Sequence, residues 1–212
     1  MSEIVQGSEE WFAARLGKAT ASKVADIVAR TRSGYAASRA NYMAQLVAER
    51  LTGNVAESFT NDAMRWGIDQ EPAARRAYEF YVGAEVTETG FVAHPTIAMS
   101  GASPDGLVGD HGLVEIKCPN TAKHIDTLLG KSIEGKYLTQ MQWQMACTGR
   151  QWCDFVSFDP RMPEAMRLHV QRIERDDARI ADLEVEVRDF LDEVDDKVAR
   201  LKGACDPEGI AA

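Results

Sequence analysis

Three charged residues, Asp105, Glu115 and Lys117, lie within or beside the apolar runs of the stretch SPDGLVGDHGLVEIKCP (residues 103–119) near the middle of the chain. Two short apolar runs flank a turn rich in Gly and Asp, a pattern that predicts a β-hairpin. Asp105 stands at the start of the first strand, and Glu115 and Lys117 stand two residues apart on the second. Because residues i and i+2 of a strand point to the same face, Glu115 and Lys117 project together, while their apolar neighbours face the core.

These residue types indicate metal-dependent phosphate chemistry. If the hairpin brings Asp105 and Glu115 together, they form a pair of hard oxygen ligands, and the main-chain carbonyl of Ile116 could add a third. Mg²⁺ prefers such ligands, with water and substrate phosphate completing its coordination. Lys117 could hold or deprotonate a water, or stabilise charge on a phosphorus centre. The alternative is a plain turn followed by a solvated strand face, although the flanking apolar residues argue against strong exposure.

The composition is that of a globular protein without cysteine-cluster or membrane motifs. With 212 residues and 45% hydrophobic side chains, the chain suits one large domain or at most two small ones. No apolar run approaches the roughly 20 residues that span a bilayer. The acidic N-terminus does not resemble a secretory signal, so a cytoplasmic location is expected. The four cysteines form no C-x-x-C pair, so reduced thiols are expected rather than a zinc or iron–sulfur site.

Charge is unevenly distributed along the chain. The formal net charge is −9, but residues 1–50 hold seven Lys or Arg against five acidic residues, a balance of +2. Residues 171–212 hold seven against thirteen, a balance of −6. A basic working surface that meets nucleic acid is therefore compatible with an acidic back face that aids solubility.

Periodicity and capping signals predict helices first and strands later. The predicted helices cover about 8–17, 20–28, 37–51, 61–82, 122–129, 136–148 and 176–201. The predicted strands cover 85–93, 97–101, the two arms of the hairpin, 152–158 and 166–173. Pro72 should kink the fourth helix beside Glu71, because proline lacks an N–H donor.

This order of elements predicts an α/β (mixed α+β) fold with a central mixed β-sheet flanked by helices. No internal repeat or low-complexity linker divides the chain. We therefore expect one domain over residues 1–212, with a helical N-terminal part (1–83), a core (84–175) and a C-terminal helix (176–201).

Six sequence blocks, taken together and in order, resemble one family. They are WFAARLGKATAS (11–22), RWGIDQE (65–71), SPDGL (103–107), EIKCP (115–119), YLTQMQWQM (137–145) and DPRM (159–162). The third and fourth blocks match the D-x(n)-E-x-K motif of the PD-(D/E)XK nuclease superfamily. The whole set resembles the phage lambda-type exonucleases, also called the YqaJ-like viral recombinase or alkaline exonuclease family.

This resemblance implies a PD-(D/E)XK, restriction-endonuclease-like core and a processive 5′→3′ exonuclease. Such an enzyme degrades one strand of linear double-stranded DNA from 5′-phosphorylated ends, releases 5′-mononucleotides and leaves 3′ single-stranded tails. The resemblance further implies Mg²⁺ as cofactor, two ions with Mn²⁺ as a substitute, and a homotrimeric ring. It also implies a single-strand annealing protein as partner, a phage or prophage origin, and no membrane association.

The resemblance also assigns roles at the metal site. Asp105, Glu115 and Lys117 match metal-binding and water-activating residues, and Glu71 matches an acidic residue that helps to complete the site. Gln140 matches a glutamine that touches the site or the scissile phosphate; Gln144 shares its helix face, whereas Gln142 does not. The hypothesis is in-line hydrolysis in which Asp105 bridges the two ions and Glu115 and the Ile116 carbonyl bind one.

A second set of matches concerns the DNA end. Arg15, Ser22 and Ser103 match residues that hold the 5′ phosphate, which suits the bidentate guanidinium and the N–H groups at a helix start. Arg32 matches a loop arginine that approaches DNA, or is a solvated loop charge. Two other functions stay open: a PD-(D/E)XK endonuclease or 3′→5′ enzyme, and a non-catalytic subunit that binds DNA ends.

Overall fold

The computed structural model describes residues 5–56 and 61–205. The first four residues, residues 57–60 and residues 206–212 of the predicted single domain lie outside the described residues. The helices are α1 (Glu9–Arg15), α2 (Ala21–Val28), α3 (Ala37–Thr52), α4 (Asp62–Val82), α5 (Thr121–Leu128), α6 (Gly135–Thr148) and α7 (Asp177–Ala204). A short 3₁₀ turn covers Glu164–Met166. All seven helices lie where the sequence predicts a helix, within a few residues at their ends.

The strands are mostly short. They are β1 (Ala19–Thr20), β2 (Arg30–Thr31), β3 (Gly34–Tyr35), β4 (Val86–Thr87), β5 (Val92–Ala93), β6 (Ser100–Ala102), β7 (Gly106–Val108), β8 (Gly112–Lys117), β9 (Trp152–Phe158) and β10 (Leu168–Glu174). The five-stranded sheet has the order β10-β9-β8-β7-β4, in which β8 and β9 are parallel and the other pairs are antiparallel. A smaller sheet has the order β1-β6-β5, and β2 and β3 form a separate hairpin. The predicted mixed sheet flanked by helices is confirmed.

Two strand predictions were wrong. The predicted strand 85–93 is divided into β4 and β5, which belong to different sheets. The predicted strand 97–101 begins only at Ser100, because the preceding residues form a turn closed by the N–H of Ser100 on the carbonyl of Ile97 (3.0 Å). Strands of two residues gain their hydrogen bonds from distant partners, so local alternation of residue types cannot set their bounds.

Both faces of the five-stranded sheet are covered. On one face, Val114 and Ile116 pack with Tyr78 of α4, as the alternation of the hairpin predicts. On the other face, Leu113 packs with Met141 of α6. The face that carries the charged residues is therefore covered by α6 rather than open to solvent.

A third apolar cluster joins α2, α3 and α7 to the far side of α6. Trp143 is fully buried there with Ile27, Leu46 and Phe190. Helix α6 thus lies between the sheet and the other helices, which fixes its position over β8. None of the helices in the described part of the chain combines the length and apolarity needed to cross a membrane.

Helix α4 continues through Pro72 from Asp62 to Val82, as the predicted helix over 61–82 does. Proline removes the hydrogen bond that would reach the carbonyl of Ile68 one turn earlier. Ile68 is exposed, so water can satisfy that carbonyl.

Candidate nuclease site

The hairpin β7–β8 places three of the predicted site residues together. Asp105 immediately precedes β7, one residue outside the strand, and Glu115 and Lys117 lie on β8. Gly106 pairs with Val114, so continuing this register by one residue puts Asp105 opposite Glu115. The carboxylate of Asp105 also accepts a hydrogen bond from the main-chain N–H of Ile116 at 2.7 Å, which holds the start of β7 against the end of β8.

Glu115 is fully buried, and three side chains donate to it. Gln140 Nε2 lies 2.7 Å from one carboxylate oxygen, and Gln144 Nε2 lies 2.6 Å from the other. Lys117 forms an ion pair with the oxygen that Gln140 also contacts. The two amides stand one turn apart on α6, so helix and strand together determine the orientation of Glu115.

The charges of the site act strongly on one another. Burial raises the pKa of Asp105 well above its ordinary value, and the nearby carboxylate of Glu115 raises it further. Burial alone would lower the pKa of Lys117, but the carboxylates of Glu115 and Asp105 outweigh this and raise it. Lys117 is therefore an ammonium at neutral pH, which favours its role in stabilising negative charge over a role as a base.

Glu71 reaches the same site from α4. Its side chain is one-third exposed, accepts a hydrogen bond from Arg75 at 2.8 Å, and lies within electrostatic range of Glu115 and Lys117. Burial raises the pKa of Glu71, and Arg75 partly offsets this. We call this group the carboxylate cluster. It consists of three carboxylates and the lysine beside them: Glu71, Asp105, Glu115 and Lys117.

The donor set of the carboxylate cluster suits a divalent cation that keeps much of its own water. Within the described residues, no three His, Cys, Asp or Glu side chains converge closely enough to hold an ion alone. Mg²⁺ typically uses only one or two carboxylates, with water and phosphate oxygens in the remaining positions. Asp105, Glu115 and the main-chain carbonyl of Ile116 fit that requirement.

A second group of predicted residues lies at the ends of α1 and α2. Arg15 and Ser22 both line a pocket of about 160 Å³, called the Arg15 pocket below. The Arg15 guanidinium stacks on Trp11, 3.8 Å from the ring centroid, and Trp11 Nε1 donates to Ser103 Oγ at 2.9 Å. Ser103 is thereby tied to the Arg15 pocket through Trp11, and all three predicted phosphate-binding residues lie in one region.

The Arg15 pocket carries features that favour and oppose an anion. Burial lowers the pKa of Arg15, although the guanidinium stays charged. Thr20 precedes α2 and, within the described residues, makes no side-chain capping bond, so the first N–H groups of α2 stay available. Glu49 also lines the pocket, but its carboxylate accepts hydrogen bonds from Gly17 N and Gln45 Nε2.

Arg32 lies apart from both groups. It is exposed in the turn of the β2–β3 hairpin and, among the described residues, contacts neither the carboxylate cluster nor the Arg15 pocket. The hairpin itself is fixed on α7, because Arg30 and Tyr35 both bind Glu186. Its predicted approach to DNA stays a prediction.

Two features of the site were not predicted. Gln144 donates to Glu115, and its spacing of four residues from Gln140 was the available signal. Gln142 points elsewhere: its side chain forms hydrogen bonds with the Glu174 carbonyl and the Asp176 N–H.

Next to Lys117, a pocket of about 180 Å³ is lined by further lysines and aromatic rings, among them Lys123 and Tyr137. Asp126 and Glu134 also line this pocket and form ion pairs with Lys131 and Lys123, so its wall is mixed in charge and partly aromatic.

Comparison with known proteins decides the family. The model of the YqaJ-like viral recombinase domain matches residues 10–151, more than half of the chain. The chain belongs to this family. The YqaJ-like family is a nuclease family, so the predictions of family, fold and enzyme class are confirmed. No curated protein matches the chain in sequence.

Solved structures of exonucleases are similar to this one. An alkaline exonuclease (LHK-Exo) from Laribacter hongkongensis is 56% identical, with 92% of this chain and 96% of that chain covered and a TM-score of 0.86. The same values hold for LHK-Exo in complex with dAMP. A phage-related exonuclease from Haemophilus somnus 129PT is 16% identical, with a TM-score of 0.71 over 87% of this chain and 96% of that chain, and shares the fold.

Proposed function

We propose that this chain is a divalent-metal-dependent 5′→3′ exonuclease that degrades one strand of linear double-stranded DNA from 5′-phosphorylated ends. It would release 5′-mononucleotides and leave 3′ single-stranded tails. One observation carries the proposal: the segment Ser103–Asp105 connects the Arg15 pocket to the carboxylate cluster. The likeness to LHK-Exo, which is an alkaline exonuclease with a structure in complex with dAMP, supports the reaction class.

The short segment from Ser103 to Asp105 supports cleavage from an end. Ser103 and Asp105 are two positions apart, a span of at most about 7 Å along the backbone. This is comparable to the step between consecutive phosphates of a nucleic-acid strand. A terminal phosphate held in the Arg15 pocket would bring the next phosphodiester to the carboxylate cluster, so that each cycle removes one nucleotide.

Asp105, Glu115 and the Ile116 carbonyl would hold Mg²⁺, with Glu71 completing the site if two ions bind. When bound, Mg²⁺ supplies Lewis-acid activation of water and neutralises charge on the phosphate. Lys117 lies beside these ligands as an ammonium and would stabilise negative charge that develops on the phosphoryl oxygens.

The protein's remaining groups act by orientation. Gln140 and Gln144 hold the two oxygens of Glu115, so the carboxylate does not have to reorganise when substrate arrives. Arg15 would give the terminal phosphate a bidentate contact, and its stacking on Trp11 limits the rotamers that the guanidinium can adopt.

The assembly and setting follow the family expectation. We propose one exonuclease domain over residues 1–212, a homotrimeric ring threaded by DNA, and a single-strand annealing protein as partner in the bacterial cytoplasm. A ring would let three basic inner surfaces add their fields in a chain whose net charge is −9. Binding to DNA should therefore weaken steeply as salt is raised.

A digestion of linear duplex DNA tests the proposal. Substrates labelled separately at each end carry either a 5′-phosphate or a 5′-hydroxyl, and a closed circle of the same sequence is the endonuclease control. We expect Mg²⁺-dependent release of 5′-mononucleotides, loss of the 5′ label first, and faster digestion of the 5′-phosphate end. Cutting of the circle, release of the 3′ label first, or equal rates on the two ends would contradict the corresponding part of the proposal.

A further inference from the structure

Helix α3 takes part in two different cavities. Tyr42, Gln45 and Glu49 on one side of α3 line the Arg15 pocket. The other side of α3 forms, with the C-terminal end of α7, a groove of about 930 Å³. On α3 the groove is lined by Ala40, Met43, Ala44, Val47, Ala48 and Leu51. The groove is therefore separate from the nuclease site and turned away from it across α3.

The groove has the shape and surface that an α-helix would fill. Its α3 wall runs from Ala40 to Leu51, about three helical turns. Met43 and Val47 form a buried apolar floor, whereas Leu51 and Leu201 at the walls stay 40% and 46% exposed. Exposed leucines on two facing helices are typical of grooves that receive the apolar side of a third helix.

Charge determines which kind of helix fits. Lys197 and Arg200 line the groove from α7, and no carboxylate of the described residues lines it. Neither side chain forms an ion pair or a side-chain hydrogen bond within residues 5–56 and 61–205. The chain has a net charge of −9, so these two positive side chains form a local basic patch beside the apolar surface of the groove. Electrostatic complementarity selects partners of the opposite charge.

We propose that the α3–α7 groove binds an acidic amphipathic α-helix of a partner protein. Apolar side chains at positions i, i+3 or i+4, and i+7 of that helix would lie on Met43, Val47 and Leu51. Asp or Glu residues along its edge would pair with Lys197 and Arg200. The partner would sit on the far side of α3 from the Arg15 pocket, so it can stay bound while the nuclease site holds DNA. The proposal does not depend on the direction or the products of cleavage.

A peptide-display selection against the full-length protein tests this without assuming a sequence. The library presents random amphipathic helices of about five turns, and binders that also bind the Ala44→Arg variant are removed. We expect the surviving sequences to be enriched in Asp and Glu beside an apolar stripe. Ala181→Arg, at an exposed position of α7 outside the groove, is the matched control and should keep all binding.

Affinity measurements on the peptide that binds most tightly then show whether Arg200 contacts the peptide directly or contributes only to the net charge of the protein. Arg200→Glu should weaken binding about tenfold or more. Lys202→Glu makes the same charge change two residues on, outside the groove, and should change binding little. Circular dichroism and the DNA cleavage rate should be unchanged in all variants, which excludes misfolding as the cause.

Several results would overturn the proposal. One is a selection that yields no groove-dependent binder, or binders without an excess of acidic residues. Another is equal weakening by Arg200→Glu and Lys202→Glu, which would reduce the effect to net charge. A change of mass in light scattering for Ala44→Arg would assign the groove to a second copy of this chain instead.

Discussion

The carboxylate cluster and the Arg15 pocket serve one proposed reaction but are built in opposite ways. The cluster is centred on β8, a strand covered on both faces, where Glu115 is completely buried with three donors on its carboxylate. The Arg15 pocket lies where short helices meet, with Ser22 exposed and Arg15 held mainly by stacking on Trp11.

This difference fits two different tasks. Hydrolysis needs ligands whose positions do not change when substrate binds, and a strand fixed between two helices provides them. Capture of a DNA end needs a surface that is open to solvent, and helix ends supply N–H groups at such a surface. We therefore expect changes in the cluster to affect the chemical step, and changes in the pocket to affect the choice of DNA end.

The largest effect is expected for Lys117→Ala. Loss of the ammonium beside Glu115 should lower the single-turnover cleavage rate by about 10³-fold, because a partly buried charge that would stabilise the transition state is removed. DNA binding, measured by fluorescence anisotropy, should change little. Lys202→Ala removes an exposed lysine at the end of α7 and should leave both quantities unchanged. A Lys117→Ala protein that cleaves at the wild-type rate would contradict the catalytic assignment.

The next effect concerns Arg15→Ala. The variant should digest 5′-phosphorylated ends about 10- to 100-fold more slowly, the range expected for losing a hydrogen bond to a charged group. Its rate on 5′-hydroxyl ends should hardly change, so the ratio of the two rates is the diagnostic measurement. Arg76→Ala, an exposed arginine on α4, is the control. An equal loss on both ends would place Arg15 outside end recognition.

A smaller effect is expected for Gln144→Met. Removing one of the two amides on Glu115 should lower kcat about tenfold while KM is maintained, because the carboxylate loses orientation rather than a substrate contact. Gln142→Met, two residues earlier, removes bonds to the Glu174 carbonyl and the Asp176 N–H. It should lower Tm and leave kcat intact. The reverse pattern for these two variants would refute the positioning role of Gln144.

The smallest expected effect is on the free energy of unfolding, and it concerns Asp159, which directly follows β9. Burial acts to raise the pKa of Asp159, but hydrogen bonds from Arg161 and Thr121 prevail and hold it at about 2. Because the folded-state pKa of Asp159 is lowered, its carboxylate stabilises the fold at pH values above the unfolded-state pKa near 4. This stabilisation is lost as the pH falls towards 2. Asp159→Asn should therefore lower the free energy of unfolding by about 1–3 kcal/mol at pH 7. The difference from wild type, followed by urea unfolding, should shrink below pH 4; a constant difference would exclude this linkage.

The chemistry of the site was easier to predict than its surroundings. The alternation of Glu115 and Lys117 with apolar residues is a local property of a strand, so their shared face and the mixed sheet could be predicted. Gln144 has the same chemistry as Gln140 and lies on the same face, but its contact with Glu115 depends on how α6 docks over β8. That docking comes from Met141 and Leu113, which are far apart in sequence.

The errors in the predicted strand bounds have the same physical origin, namely contacts between residues far apart in sequence. The strands β4 and β5 are two residues long, and their bounds come from pairing with β7 and β6 rather than from their own residues. Pro72 is a different case: α4 continues through it, because a single lost hydrogen bond at an exposed carbonyl is tolerated when the rest of the helix packs on the sheet.

The parallel pairing of β8 with β9 has a consequence for the order in which the site is assembled during folding. Parallel neighbours require a crossover, and here that crossover contains both α5 and α6. Contacts between such distant segments close slowly, so Glu115 meets Gln140 and Gln144 only when the crossover has folded onto the sheet. A nascent chain that has completed the hairpin alone already carries Asp105, Glu115 and Lys117 but not the amides that orient them. A site in which Glu115 is held by both amides therefore forms only after the crossover has folded onto the sheet.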